Sequence, residues 1–388
     1  MTRFTIPRDV YFGENALDQL ALIRGKRAML VVGSERLKKD GTVAKIQSLL
    51  SQSGILSDTF SGIEADPSIA TVMKGVEAIN RYQPDWIIGI GGGSPIDAAK
   101  AMWIFYEHPD FTFEEAAKPF NLPELRRKAR FIAIPTTSGT GTEVTAFSII
   151  TDHETGMKYP IADYNITPDM AILDTSLVAE MPPTLIADTG MDALTHAIEA
   201  YTSTVANPIT DGLAIKAIQM VVCNLLNSYR GDSAARENVH IAQCLAGMAF
   251  SNAILGAVHS MAHKTGRVID IAHGRANAIY LTYVTQYNAK TAPKKYAEIA
   301  RYLGLVGDND ATLVAALVDC IKNLRSDLGM PSSLKEYGTD EKNFMGQLKE
   351  IAQAAVEDPC TGTNPRPVTE DEMAKLFEAV YYGNEVNF

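Results

Sequence analysis

The sequence lacks several features that mark particular classes of protein. Its four cysteines are widely separated, so it has no Cys-x-x-Cys pair of the kind that binds structural zinc or exchanges disulfides. No unbroken apolar run reaches the roughly 18 residues of a membrane-spanning helix. The first residues also show no apolar segment typical of a signal peptide. We therefore expect a reduced, cytoplasmic protein with no membrane partner.

Basic charge is also scarce. The chain has 35 lysines and arginines against 46 aspartates and glutamates, a formal net charge of −11. A nucleic-acid partner requires a basic face that neutralises phosphates, so the composition argues against one. With 46% hydrophobic and 21% charged residues over 388 positions, the composition is that of an ordinary globular protein with room for two domains.

The first half of the chain alternates apolar and helical segments. Short apolar runs at 27–32, 85–90 and 131–135 have the pattern of buried strands, and each leads into a loop. This alternation predicts a mainly parallel sheet with helices on both faces. From Thr184 onward, long segments with helical periodicity predominate. We predict an α/β domain at 1–183, followed by an all-helical domain at 184–388.

Histidine is concentrated in one part of the chain. Five of the seven histidines lie between positions 196 and 273, and four of those five belong to the motifs below. Asp192 and His196 are four residues apart, as are His259 and His263, so on a helix each pair lies on one face. Together with His273, these side chains form a ligand set for Fe²⁺ or Zn²⁺. One such pair is also common on a solvated helix face, and spacing alone does not show which histidines bind a metal.

Two polar loops each follow an apolar strand. Gly91, Gly92, Gly93 and Ser94 stand between a strand and a helix. Glycine lets the backbone approach a ligand closely and a helix N-terminus carries positive charge, so this loop suits a pyrophosphate. The loop at 136–142 offers hydroxyl and amide groups to a ribose or a second phosphate. The alternative is that both are ordinary turns between a strand and a helix.

Taken together, these motifs resemble the iron-dependent (group III) alcohol dehydrogenases. The segments that carry the resemblance are Gly91–Asp97, Pro135–Val144, Asp192–His196, His259–His263 and Ala272–Gly274. The resemblance runs nearly from end to end and is closest to the clostridial NAD(P)H-dependent butanol dehydrogenases. It implies a dinucleotide-binding α/β domain, with a mainly parallel sheet, and an all-helical C-terminal domain that binds the metal.

The resemblance also implies roles for individual residues. The metal ligands would be Asp192, His196, His259 and His273. His263 would line the site without binding the metal, either as a proton relay or with no proton role. The residues expected to contact the cofactor are Gly91, Gly92, Gly93, Ser94, Asp97, Thr136, Thr137, Thr140, Thr142 and Lys158.

Two positions depart from the family pattern. Members that prefer NAD carry an aspartate after the first strand, which binds a ribose hydroxyl. The matching residue here is Ser34, so no carboxylate repels a 2′-phosphate. Arg36 and Lys38 would attract that phosphate although Glu35 opposes it, and we expect NADP more than NAD. The second departure is Ala272, where many members have a proline before the histidine.

The implied function is hydride transfer between NAD(P)H and a small primary alcohol or aldehyde, such as butanol or butanal. The metal, Fe²⁺ or Zn²⁺, would act as a Lewis acid on the substrate oxygen. One alternative is a glycerol or diol dehydrogenase of the same fold. Another is a metal hydrolase or lyase that uses no dinucleotide. The family also implies at least a homodimer.

Overall fold

The computed structural model describes residues 3–33, 35–154 and 158–388, and at position 267 it describes the backbone alone. The chain divides into two compact units, Met1–Glu180 and Met181–Phe388.

The first unit contains strands and helices in alternation. Its strands are β1 (Asp9–Gly13), β2 (Arg27–Val32), β3 (Leu56–Ser61), β4 (Trp86–Gly91), β5 (Arg130–Pro135), β6 (Phe147–Thr151), β7 (Lys158–Ala162) and β8 (Met170–Asp174). Its helices are α1 (Arg36–Lys39), α2 (Thr42–Gln52), α3 (Ile69–Tyr82), α4 (Gly93–Glu107) and α5 (Phe113–Ala116). Six strands form a parallel sheet in the order β1-β8-β5-β4-β2-β3, and β6 and β7 form a separate antiparallel pair.

The central strands are apolar throughout because both faces of the sheet are covered. In β2, Met29 and Val31 pack into one hydrophobic core, whereas Leu30 and Val32 pack into another. A strand buried on both sides loses the alternation of polar and apolar residues, which is why these segments are continuous apolar runs in the sequence. The predicted fold class of this unit is confirmed.

The register of the sheet places the two polar loops next to each other. Gly91 at the end of β4 pairs with Pro135 at the end of β5. Because the strands are parallel and adjacent, the loops that follow them begin side by side at the carboxyl edge of the sheet. This is the edge at which such sheets bind ligands.

The second unit contains helices and, among the residues described, no strand. They are α6 (Pro183–Thr202), α7 (Pro208–Tyr229), α8 (Ser233–Ala253), α9 (Ala257–Ile269), α10 (His273–Asn288), α11 (Pro293–Tyr302), α12 (Asp310–Asp327), α13 (Leu334–Tyr337), α14 (Glu341–Val356) and α15 (Glu370–Tyr382). Local sequence sets several of their ends. Pro183 occupies the first turn of α6, and the side chain of Asn207 caps the first amides of α7.

Helix α6 lies in the interior of this unit. From Ile186 to Thr202 every residue except Thr189 is buried. A Cβ atom added to Gly190 would lie 2.2 Å from Cδ1 of Leu225, so α6 and α7 pack in close contact at this point. A helix buried on all sides is expected to be apolar, yet α6 carries several ionisable side chains, and each of them needs a partner inside the protein.

One helix of this unit is apolar enough to be compared with a membrane span. By length and composition alone, α7 meets the criterion, with a mean hydropathy of 1.4 and 33% of the tested window buried. Helices α8 and α9 meet it only as a pair, and that pair is bent by 101°. The core helices of soluble proteins meet the same criterion, so the finding is weak evidence of a membrane span.

Candidate metal and nucleotide sites

The four side chains predicted to bind a metal lie together in the second unit. Asp192 and His196 project from α6, His259 from α9, and His273 is the first residue of α10. From Oδ1 of Asp192, the Nε2 atoms of His196, His259 and His273 are 4.0, 3.7 and 3.8 Å away. Three helices thus bring one carboxylate and three imidazoles to one point.

This geometry fits a transition-metal ion. Two ligand atoms about 2.1 Å from one ion are roughly 3.4 Å apart at a tetrahedral angle and at most about 4.2 Å apart on opposite sides. The three separations from Asp192 fall within that range, and the ligand atoms of Asp192, His196 and His259 all lie within 4.8 Å of one another, whereas His273 lies outside that compact group. Burial opposes the charge of Asp192, but the neighbouring histidines, His196 foremost, outweigh it and hold the pKa of this carboxyl well below its usual range. The carboxylate is therefore ionised, which is the form that binds a cation. The ligand roles themselves remain predictions.

Glu199 orients one of these histidines. Its Oε2 atom lies 2.6 Å from Nδ1 of His259, and its Oε1 atom accepts a hydrogen bond of 2.7 Å from the backbone amide of Val258. A carboxylate at Nδ1 favours the tautomer with the proton there, which leaves the Nε2 lone pair facing Asp192. Burial opposes protonation of His259, but the charge of Glu199 outweighs it and raises the pKa of the ring to about 9, so a cation bound here would displace the Nε2 proton.

Asn277 also contacts the predicted ligands. This fully buried side chain projects from α10, one turn after His273. Its Nδ2 atom donates to Oδ1 of Asp192 over 2.7 Å and lies 3.1 Å from Nε2 of both His259 and His273. The amide therefore fixes the position of the carboxylate oxygen that faces the three imidazoles.

His263 lies beside this cluster. Its ring is nearly parallel to that of His273, at 10° and with centroids 5.6 Å apart. Its Nδ1 atom is 3.1 Å from Oδ2 of Asp358. The ligand atoms of His263, Asp358 and Cys360 are close enough to suggest a second metal site. However, Asp358 already pairs with Lys264 over 2.9 Å, and burial raises the pKa of the Cys360 thiol well above its usual value. These contacts favour orientation of His263 over metal binding.

The first turn of α10 shows how the chain accommodates alanine in place of proline. Ala272 has φ −59° and ψ 136°, which is the backbone conformation that proline would impose.

Helix α10 approaches α6 most closely at Gly274, where an added Cβ would lie 2.2 Å from the carbonyl oxygen of Asp188. Arg275 pairs with the Asp188 carboxylate over 2.9 Å. Only glycine allows α10 to start this close to α6, so Gly274 sets the place of His273.

The two polar loops of the first unit pack against each other. The amide of Thr136 donates to the carbonyl of Gly91 over 2.9 Å. A Cβ on Gly92 would lie 3.3 Å from Oγ1 of Thr137, and one on Gly93 would lie 3.2 Å from Cγ2 of Thr140. Since α4 begins at Gly93, the free amides of its first turn are at the same place. The structure thus brings the predicted phosphate-binding residues together.

The other predicted cofactor contacts are placed as follows. Oδ2 of Asp97 accepts a hydrogen bond of 3.3 Å from the amide of Ile149, and burial raises the pKa of this carboxyl to about 7. Lys158 begins β7, with Nζ 3.1 Å from Oδ1 of Asp66. Arg36 and Lys38 lie in α1, and Ser34 lies outside the described residues. Their contacts with a dinucleotide remain predictions.

Comparison with known proteins decides the family. A model of the iron-containing alcohol dehydrogenases matches residues 7–175, and a model of the C-terminal part of the Fe-containing alcohol dehydrogenase family matches residues 186–381. The chain belongs to the iron-containing alcohol dehydrogenase family. The resemblance inferred from the metal and glycine motifs is thereby confirmed.

Individual members of the family are similar over the full chain. The NADPH-dependent butanol dehydrogenase of Clostridium saccharobutylicum is 56% identical over 388 residues, with both chains fully covered. The bifunctional aldehyde-alcohol dehydrogenase of Escherichia coli is 42% identical over 98% of this chain, which spans 46% of that longer protein. A crystal structure of 1,3-propanediol oxidoreductase superimposes with a TM-score of 0.93 at 36% identity, covering 98% of this chain and all of the other.

The close approach at Gly274 gives a first prediction. Gly274→Ala should displace the first turn of α10 and move His273, so that the affinity for Zn²⁺ falls at least about tenfold. The affinity for Zn²⁺ is measured by competition with a chromogenic chelator. Gly266→Ala in α9 is the matched control, because an added Cβ there meets nothing closer than 4.0 Å. Equal Zn²⁺ affinity in the two variants would contradict the argument.

The contact between Glu199 and His259 gives a second prediction. Glu199→Gln keeps the shape of the side chain but removes the charge that holds the His259 tautomer. We expect metal affinity to fall by about 10- to 100-fold, as is typical when a partner of a metal-binding histidine is changed. Glu298→Gln is the control: it alters a carboxylate that accepts a hydrogen bond of 2.9 Å from Tyr201, and it should leave the metal affinity unchanged. A Glu199→Gln protein that retained wild-type affinity would remove Glu199 from the site.

Proposed function

We propose that this protein is an NADPH-dependent alcohol dehydrogenase and aldehyde reductase that acts on small primary alcohols and aldehydes such as butanol and butanal. The observation that carries the proposal is the placement of the His196, His259 and His273 rings within 4.0 Å of Oδ1 of Asp192. It is supported by the 56% identity, over the whole chain, to an NADPH-dependent butanol dehydrogenase.

The residues around the centre have distinct tasks in this proposal. A divalent ion held there supplies Lewis acidity at the substrate oxygen, and NADPH supplies the hydride. Glu199 keeps His259 in one tautomer, and Asn277 anchors the carboxylate of Asp192. His263 has its Nδ1 atom turned to Asp358, so Nε2 is free to pass a proton between the substrate oxygen and solvent. Its side chain is 26% exposed, which provides contact with water.

The comparisons favour iron and NADP over the alternatives. The family is named for iron, although Zn²⁺ accepts the same ligands. The butanol dehydrogenase relative is 56% identical, against 36% for the propanediol oxidoreductase, so a simple alcohol is favoured over a diol. The paired glycine and threonine loops argue against a hydrolase or lyase without a dinucleotide. We further propose, from the family resemblance, a homodimer or higher oligomer in the cytoplasm.

The central experiment combines metal analysis with an activity assay. Protein purified without oxygen should contain close to one equivalent of iron or zinc per chain and should oxidise NADPH on addition of butanal. His259→Ala should lower kcat by at least about 1,000-fold, because a metal ligand is lost, while the Kd for NADPH changes less than about twofold. His108→Ala is the control, because this half-buried histidine is bonded to the carbonyl of Glu124 in the first unit. Full turnover by metal-free protein would refute the proposal.

The choice of NADP depends on charges near α1. The pKa of Glu35 is lowered chiefly by its hydrogen bond to Lys38, whose Nζ lies 3.1 Å away, so Glu35 stays anionic and offsets the charge of Lys38. Arg36 lies 3.6 Å from Asp40. We expect Arg36 to recognise a 2′-phosphate, because its planar guanidinium can bind two phosphate oxygens at once.

Substitution of Arg36 tests this choice. Arg36→Gln should raise the KM for NADPH about fivefold, since an exposed charge contact is worth roughly 1 kcal/mol, and should leave the KM for NADH unchanged. Lys39→Gln in the same helix is the control. Equal effects of Arg36→Gln on both cofactors would show that Arg36 does not recognise the phosphate.

A further inference from the structure

A buried lysine connects the two loops of the nucleotide site. Lys100 lies in α4, the helix that begins at Gly93 in the glycine loop, and its side chain is fully buried. Lysine is rarely buried completely, because removing an ammonium group from water is costly unless the charge is fully hydrogen-bonded. Neither the metal centre nor the predicted dinucleotide contacts give this residue a role.

The ammonium group of Lys100 binds the backbone that follows the threonine loop. Its Nζ atom donates to the carbonyl oxygens of Thr142, Thr145 and Phe147 over 2.8, 2.7 and 2.9 Å, and lies 3.2 Å from the hydroxyl of Thr145. An ammonium has three protons, which the three carbonyls and the hydroxyl of Thr145 share. They belong to the turn at Thr142–Val144, to Thr145 directly after it and to the start of β6.

Two carboxylates balance the buried charge. Burial lowers the pKa of Lys100 to about 8, while the charges of Asp97 and Glu143 act in the opposite direction. Asp97 lies one turn before Lys100 on α4, and its carboxylate accepts a hydrogen bond from the amide of Ile149 in β6. The hydroxyl of Ser148 also donates to the carbonyl of Asp97 over 2.9 Å. Helix α4 is therefore bonded to the segment 142–149 at several points.

We propose that Lys100 is a positioning residue for the dinucleotide. It holds the segment 142–147 against α4 and so keeps the threonine loop packed on the glycine loop. The contacts of Gly92 with Thr137 and of Gly93 with Thr140 depend on this arrangement, because both loops are joined to α4, one through its first turn and the other through Lys100. The inference rests on the proposed function, since it assumes that NADPH binds at these loops.

The test compares three variants by fluorescence titration with NADPH. Lys100→Met keeps the length of the side chain but removes the ammonium, and should raise both the Kd and the KM for NADPH at least tenfold. The KM for butanal, kcat at saturating NADPH and the metal content should stay within twofold. Thr145→Val removes a single hydroxyl contact and should raise the Kd for NADPH two- to threefold.

Lys128→Met is the matched control. Nζ of Lys128 donates a hydrogen bond of 2.6 Å to the carbonyl of Tyr106, near the C-terminal end of α4. This variant therefore also removes a lysine that is bonded to a backbone carbonyl, but it leaves the glycine and threonine loops unchanged. Its Kd for NADPH should match that of the wild type, whatever the change in melting temperature. If Lys100→Met does not fold, Thr145→Val decides the question, and an unchanged Kd in that variant overturns the proposal.

The outcomes separate this inference from the proposed function. Wild-type protein that neither binds NADPH nor reduces butanal would refute the proposed function. Wild-type binding with an unchanged Kd in folded Lys100→Met, even alongside a lower melting temperature, would show that Lys100 serves stability only and would refute this inference alone.

Discussion

The second unit depends on the interactions of one buried carboxylate, that of Asp192, with the side chains around it. It lies inside a helix that is buried on nearly every side, where an isolated charge would be strongly unfavourable. The structure compensates it with imidazoles from three helices and with the amide of Asn277. The packing of α6, α9 and α10 must therefore satisfy two conditions at once: the apolar faces must fit, and the polar atoms must meet within a few tenths of an ångström.

The first unit solves a similar problem with backbone groups. A parallel sheet brings the ends of β4 and β5 together, but it does not determine the shape of the loops that follow. That shape depends on glycines that leave room for Thr137 and Thr140, and on hydrogen bonds that join the second loop to α4. The two units thus use different chemistry for the same purpose, which is to fix groups that would be mobile on isolated loops.

Much of the fold and part of the site could be predicted from the sequence. Continuous apolar runs identify strands buried on both faces, and histidines four residues apart on α9 identify a helix face. Glu199 was not identified, although Asp192, His196 and Glu199 follow a helical spacing, because a glutamate at that spacing is usually solvated. Asn277 carries no charge and belongs to no recognised motif. Asp358 is distant from His263 in the chain, so only the fold reveals their contact.

Ligands drawn from three helices have a consequence for the stability of the second unit. An ion bound at this point would join segments that are far apart in the chain, and it would bind the unfolded chain much more weakly. By mass action, the free energy of such binding adds to the free energy of unfolding. The lifetime of the helical unit would then rise and fall with the supply of metal, so a shortage would first appear as loss of protein rather than as slow turnover.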